Sequence, residues 1–236
     1  MRREYDEELA QDGGAEEQML TNAERIKQAA VGLFSEYGYG STTVRMIAKE
    51  AGLSQGQITA HYGSKEALFN AIVKDIIQTT EQAFDPLEER IEILVNSGKM
   101  DRDAAWSLIE EVVTMQIDFC MEPSNRANLM ILNIVIPDCK AVEQSCQRLQ
   151  QTVRNKIEMM LAQLIQVYST KKGYLRARTI SRAVNGAIVS FGEHKAFLLD
   201  EVYIGSHSPH SVSWMKGHLK EYVLNSIRAA DELPDY

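Results

Sequence analysis

Between Thr21 and Phe69 the chain places a capping side chain or a glycine at short intervals, and this punctuation narrows what it can fold into. Thr21-x-x-Glu24 and Ser54-x-x-Gln57 are both capping boxes, in which a hydroxyl and a longer polar side chain satisfy backbone N–H groups at a helix start. Gly38 and Gly40, then Gly52, then Gly63 follow the apolar stretches as stops, because glycine accepts the left-handed backbone that ends a helix. The pattern predicts short helices in close succession.

The first helix, over 22–37, carries Ile26, Ala30, Leu33, Phe34 and Tyr37 at three- and four-residue spacing. The second starts near Thr42 or Thr43 and buries Val44, Ile47, Ala48 and Ala51. The third is too short to be stable alone and has Ile58 and Tyr62 as core anchors, so Gln55, Gln57, Thr59 and His61 face outward. Ser64 caps a fourth helix with a stripe of Leu68, Phe69, Ile72, Val73, Ile76 and Ile77, expected to end near Phe84, before Asp85-Pro86.

Beyond this the pattern stays helical, with a short segment at 87–97 and helices at 102–121, 125–136, 138–169, 176–199 and 210–230. Strand-like alternation is scarce, and the predicted fold class is all-α. With 44% hydrophobic and 25% charged residues, composition argues against a disordered chain, a collagen-like chain or a coiled-coil rod. The first twenty residues are too acidic for a secretory signal, and no run approaches the roughly 18 apolar residues of a membrane span, so no membrane contact and a cytoplasmic location are expected. Cys120, Cys139 and Cys146 show no CxxC spacing, which indicates neither a disulfide framework nor a zinc cluster.

The formal charge of −8 argues at first against a nucleic-acid partner. Its distribution changes that. Residues 1–20 carry a net −5 and read as a mobile acidic tail, whereas residues 21–66 carry a net +1. Two short helices joined at Gly52, the second with an outward polar face, make a helix-turn-helix, whose second helix fits the DNA major groove.

The run from Ser41-Thr-Thr-Val-Arg through Ile47-Ala-Lys-Glu-Ala-Gly-Leu-Ser54 and Ile58-Thr-Ala-His-Tyr-Gly-Ser-Lys65 to Phe69 resembles the signature of TetR-type transcriptional regulators, as does the preceding Ala30-x-x-Leu-Phe-x-x-x-Gly38. The resemblance implies a tail at 1–20, a three-helix DNA-binding domain at 21–66 and a helical effector-binding and dimerisation domain at 67–236. It also implies that Arg45, Gln55, Gln57 and His61 face bases while Thr43, Tyr62 and Lys65 hold phosphates, with Thr59 alongside them. Glutamine can pair bidentately with adenine and arginine with guanine, and lysine neutralises phosphate. Thr59 and Ala60 depart from the larger or aromatic residues often found there, so the contacts made by those residues are either missing or replaced by thymine-methyl packing.

Each of these residues has a plainer reading as a solvated helix position, and Tyr62 as core packing. Other candidates are weaker. His207-x-x-His210 lacks further ligands, Glu193-His194 point in different directions, and the cysteines read as buried thiols, so no metal, cofactor or catalytic residue is expected. Met115, Phe119, Asn133, Met159, Gln163 and Phe191 are the candidate effector-pocket residues, chosen as apolar or single polar groups on the central helices. Two C-terminal stripes, Ile180 to Phe191 and Val212 to Ile227, fit an intramolecular core by their spacing, and the same resemblance favours a dimeric four-helix interface. The function expected is a homodimeric, ligand-responsive repressor on a pseudo-palindromic operator in double-stranded DNA. The alternatives are an all-helical enzyme or ligand-binding protein that has lost DNA binding, and a DNA-binding regulator without an effector.

Overall fold

The computed structural model of the chain describes residues 20–122, 125, 140–171, 173–201 and 209–233, and every regular element among them is a helix. Apart from Asn125, the expected helix at 125–136 lies outside the described residues, as do residues 1–19. Helices α1 (Asn22–Ser41), α2 (Val44–Ala51) and α3 (Gln55–Tyr62) form the N-terminal cluster. α4 (Lys65–Asn96) leaves it, and α5 (Arg102–Met121), α6 (Lys140–Leu149), α7 (Asn155–Tyr168), α8 (Tyr174–Glu201) and α9 (Pro209–Glu232) make the larger bundle. In that bundle α8 packs on α7, α5 and α9, while α5 also packs on α7 and α9.

Both capping boxes form as the sequence predicts, at Thr21 with Glu24 and at Ser54 with Gln57. The aromatic centre of the N-terminal cluster differs. Tyr37 is half exposed, and Tyr39 takes the core position, its ring 5.5 Å from Phe34 and 5.2 Å from Phe69. The cause is Gly38, whose φ of 77° and ψ of 163° break the helical path and swing the next side chain inward. Burying such an aromatic ring stabilises the fold by about 1.5–3 kcal/mol, so the exchange fixes how α1 meets α4.

α4 does not end near Phe84 but continues through Pro86 to Asn96, a length of about 48 Å at 1.5 Å per residue. Pro86 removes one N–H from the helical ladder. Burial on both sides of it, by Phe84, Leu87 and Ile91, holds the helix together across that gap. The same helix touches α1 and α3 at its start and α6 and α7 further along, so it is shared by both parts of the molecule. The single helix expected over 138–169 is interrupted by a π-helical turn at Gln150–Arg154. Just past that turn, Lys156 of α7 pairs with Asp85 at 2.8 Å and with Glu88, one on each side of Pro86.

The two C-terminal stripes are also placed differently from what the resemblance favours. Val184, Ile188, Met215, Leu219, Val223 and Ile227 are buried within the chain itself, because α8 and α9 use those faces to pack on α5, α7 and each other. The outer side of α9 instead presents Trp214, stacked on His218 at 4.0 Å, and Tyr222. Where α5 crosses α8, a Cβ on Gly192 would lie 2.8 Å from the carbonyl oxygen of Cys120, so the two backbones are nearly in contact.

Candidate nucleic-acid interface

The N-terminal cluster holds two short helices at a fixed angle and leaves one face of the second in solvent. α2 begins where the Thr43 hydroxyl accepts the Met46 N–H at 3.2 Å and closes at Gly52 (φ 64°, ψ 37°). Arg25 of α1 reaches across to donate to the Ala51 carbonyl at 2.6 Å, fixing the end of α2. α3 contributes a single fully buried side chain, Ile58. A helix of eight residues with one buried anchor gains little from its own hydrogen bonds, so its neighbours must hold it. Tyr62 does so by donating its hydroxyl to the Ala23 carbonyl at 3.0 Å, and its burial pushes the phenol pKa up.

Gln55, Gln57, Thr59, Ala60 and His61 are all exposed along α3, and Arg45 is exposed on α2. Arg45, Gln55 and His61 make no side-chain hydrogen bond or ion pair among the described residues. The other predicted contacts are already engaged. Thr43 caps α2, and the Thr59 hydroxyl donates to the Gln55 carbonyl at 3.1 Å. Gln57 Oε1 accepts from the Ser54 N–H at 2.9 Å and from its hydroxyl at 3.1 Å. Lys65 Nζ donates to the carbonyls of Tyr39 and Thr42, both at 2.9 Å, and sits 4.1 Å above the Tyr39 ring centre. Two of its three N–H groups are therefore spent inside the protein.

Lys49 was not among the predicted contacts, yet it is exposed on α2 one helical turn from Arg45. The i, i+4 spacing of two cations on a helix with a solvent face was the signal for it. Arg25 was missed as well, since nothing local in the sequence shows that it reaches the end of α2.

In the larger bundle the predicted pocket residues differ in exposure. Met115, Phe119, Gln163 and Phe191 are half-buried, and Phe119 packs edge-on against Phe84 at 5.5 Å. Met115 borders an open cleft of about 390 Å³ shared with Glu110, Thr114, Asp118 and Lys220. Met159 is exposed, because α7 turns Ile157, Met160, Leu161 and Leu164 inward and leaves position 159 outside. Asn133 lies outside the described residues. The buried polar groups are others. Gln116 of α5 donates to Asn185 Oδ1 of α8, Asn185 Nδ2 donates to Glu158 Oε1 of α7 at 3.3 Å, and Arg178 and Arg182 each approach Glu158 to 3.5 Å. Glu158 can only accept, so donation runs from Gln116 through Asn185 to Glu158 and leaves Gln116 Oε1, at the donor end, buried without a hydrogen-bond partner among the described residues. A Gln or Glu inside an apolar face, as between Val113 and Ile117 or between Ile157 and Leu161, was the available signal.

Cys120 and Cys146 are buried, and burial pushes the Cys146 thiol up. Among the described residues no three His, Cys, Asp or Glu side chains are placed to hold a metal. His207, Cys139 and the side chains of Glu193, His194 and His210 lie outside what is described.

Residues 26–72 match the sequence profile of the family described as bacterial regulatory proteins, tetR family. The HTH-type transcriptional regulator HbdR of Aromatoleum sp. (strain CIB) is 35% identical over 83 residues, which is 35% of this chain and 35% of that protein. The chain thus matches this curated relative over about a third of its length. Solved structures extend the likeness to most of the fold. A TetR-like transcriptional regulator from Rhodococcus sp. RHA1 superposes with a TM-score of 0.58 at 17% identity, covering 87% of this chain and 93% of that one. FadR from Bacillus subtilis, solved with stearoyl-CoA, gives 0.53 at 19% identity, covering 86% and 97%. Residues 26–72 thus match the tetR family profile, and the chain shares the fold of these solved structures over most of its length.

Proposed function

We propose that the protein is a transcriptional regulator that binds double-stranded operator DNA through α2 and α3 and has no catalytic role. The observation that carries this reading is the division of labour in the N-terminal cluster. Arg25, Tyr62 and Lys65 lock the helices together while Arg45, Gln55 and His61 stand exposed and uncommitted on the same two helices. Residues 21–66 are the DNA-binding domain and 67–236 the effector and dimer domain in this reading, with α4 continuous across the boundary. A homodimer on a pseudo-palindromic site accords with one recognition helix per chain, and the exposed Trp214 and Tyr222 on α9 are the surface we assign to pairing. Release or capture of DNA by a small molecule is supported by the buried polar chain ending at Gln116, and by FadR having been solved with stearoyl-CoA. No helix among the described residues is long and apolar enough to cross a membrane, and a location with the DNA in the cytoplasm goes with this function.

Selection of binding sites from a random duplex pool tests it. The full chain should return a two-fold-related motif. Arg45→Ala or Gln55→Ala should relax the preference at one position of each half-site, at a cost of about 1–3 kcal/mol there. Failure of the full chain to enrich any sequence would remove operator recognition from the reading.

A further inference from the structure

The chain enters α1 at a particular place. The Ala23 carbonyl is held by Tyr62, the last residue of α3, at 3.0 Å, and Arg25 is bonded to Ala51, the last residue of α2, at 2.6 Å. The first turn of α1 is therefore pinned between the ends of both helices of the helix-turn-helix. Leu20, one residue before the capping threonine, lines an open cleft of about 790 Å³ together with Arg25, Gln28, Glu50 and Gly52. Whatever precedes Leu20 starts beside the surface that the reading above assigns to DNA.

What precedes it is a polyanion. Residues 1–19 hold seven carboxylates, at Glu4, Asp6, Glu7, Glu8, Asp12, Glu16 and Glu17, against Arg2 and Arg3. Nineteen residues reach roughly 60 Å when extended, far more than the ~12 Å length of α3. Nearby, Arg45 and Lys49 form an exposed cationic pair on α2 with no ion pair among the described residues, whereas Lys27 is already paired with Asp75.

We propose that the acidic segment 1–19 occupies the Arg45–Lys49 face of its own helix-turn-helix and competes with DNA phosphates for it. This inference rests on the DNA-binding function proposed above. Tethering gives the carboxylates an effective concentration in the millimolar range, so individually weak contacts suffice to compete. Competition has a signature in salt. Binding of DNA to a bare cationic surface releases counterions and weakens steeply as salt rises. Salt that also loosens the tethered carboxylates offsets part of that weakening, so the intact protein has the shallower dependence.

The test compares the full chain with a full-length variant carrying E4Q, D6N, E7Q, E8Q, D12N, E16Q and E17Q, using a mixed-sequence duplex from about 50 to 200 mM salt, the range over which phosphate contacts are lost. The variant is expected to bind roughly tenfold tighter at the low end, with the two curves converging at the high end. In parallel, carbodiimide coupling on the intact protein should join a carboxylate of residues 1–19 to Lys49 and should be suppressed by duplex DNA. The Lys27–Asp75 link serves as the internal control. Equal affinities across the salt range, with both proteins binding duplex, overturn the inference and leave the DNA-binding function standing. Tighter binding without coupling to Lys49 means that charge acts through space, which overturns occupancy of that face. If neither protein binds duplex at the lowest salt, the DNA-binding function fails and this inference fails with it.

Discussion

Gln57 is asked to do two things with one amide. Its oxygen completes the capping box that starts α3, and a bidentate grip on adenine needs that same oxygen. The two roles separate by substitution. Gln57→Glu keeps an acceptor for the cap, so its unfolding free energy from urea titration should stay within about 0.5 kcal/mol of the parent, while the added anion beside phosphates should weaken duplex binding. A parallel loss of stability and affinity would show the cap, not base contact, to be its contribution. Lys65 divides in the opposite sense. Lys65→Met keeps the stem over Tyr39 but strands two carbonyls, and should cost about 1–3 kcal/mol in urea denaturation even with no DNA present. The exposed positions of α3 were legible from the sequence, because a polar face on a helix with one anchor shows in the spacing. The inward role of Lys65 was not, since its acceptors lie more than twenty residues earlier and meet it only in the folded chain.

Among the elements, α4 shows what spacing misses. Asp85-Pro86 is a sound reason to end a helix, and the apolar stripe beyond it reads as a separate segment only while the neighbouring helices are unknown. In the folded molecule Leu87 and Ile91 of that stripe are buried, with Arg90 paired to Glu111 of α5 and Glu88 to Lys156 of α7, and the helix continues. Lys156 reinforces the weak point. Burial alone would lower its pKa, but hydrogen bonds and charge from Asp85 and Glu88 outweigh burial and raise it. A raised lysine contributes stability that is complete below its unfolded pKa of about 10.4 and fades as pH climbs through the higher folded value, so the clamp is fully present at neutral pH. Lys156→Met should therefore lower stability by about 1 kcal/mol at pH 7, since Asp85 remains largely in water. Faster amide exchange should follow around Pro86, measured by hydrogen exchange. Unchanged exchange there would place the clamp's effect elsewhere.

For the whole molecule, the closing contact lies in the larger bundle, where the last helix is fastened. Asp231 of α9 accepts from the Ser169 hydroxyl, from the Thr170 N–H at 3.1 Å and from the Thr170 hydroxyl at 3.0 Å, tying the last helix to the α7–α8 connection. Burial would raise its pKa, but these bonds prevail and hold the carboxyl below the ordinary value. A depressed carboxylate contributes stability above its unfolded pKa of about 3.9 and loses it as pH falls through the folded value. Asp231→Ala should cost about 2 kcal/mol at pH 7, and the gap from the parent protein should narrow below about pH 3.9 in urea titrations at both pH values. A constant gap would mean that packing, not the charge, makes the contact. Near the other end of α8, Gly192 has no room for even a methyl group against Cys120. In mechanical terms α5 and α8 touch there with nothing between them, so even one added methyl, as in Gly192→Ala, must act as a wedge that drives the two helices apart.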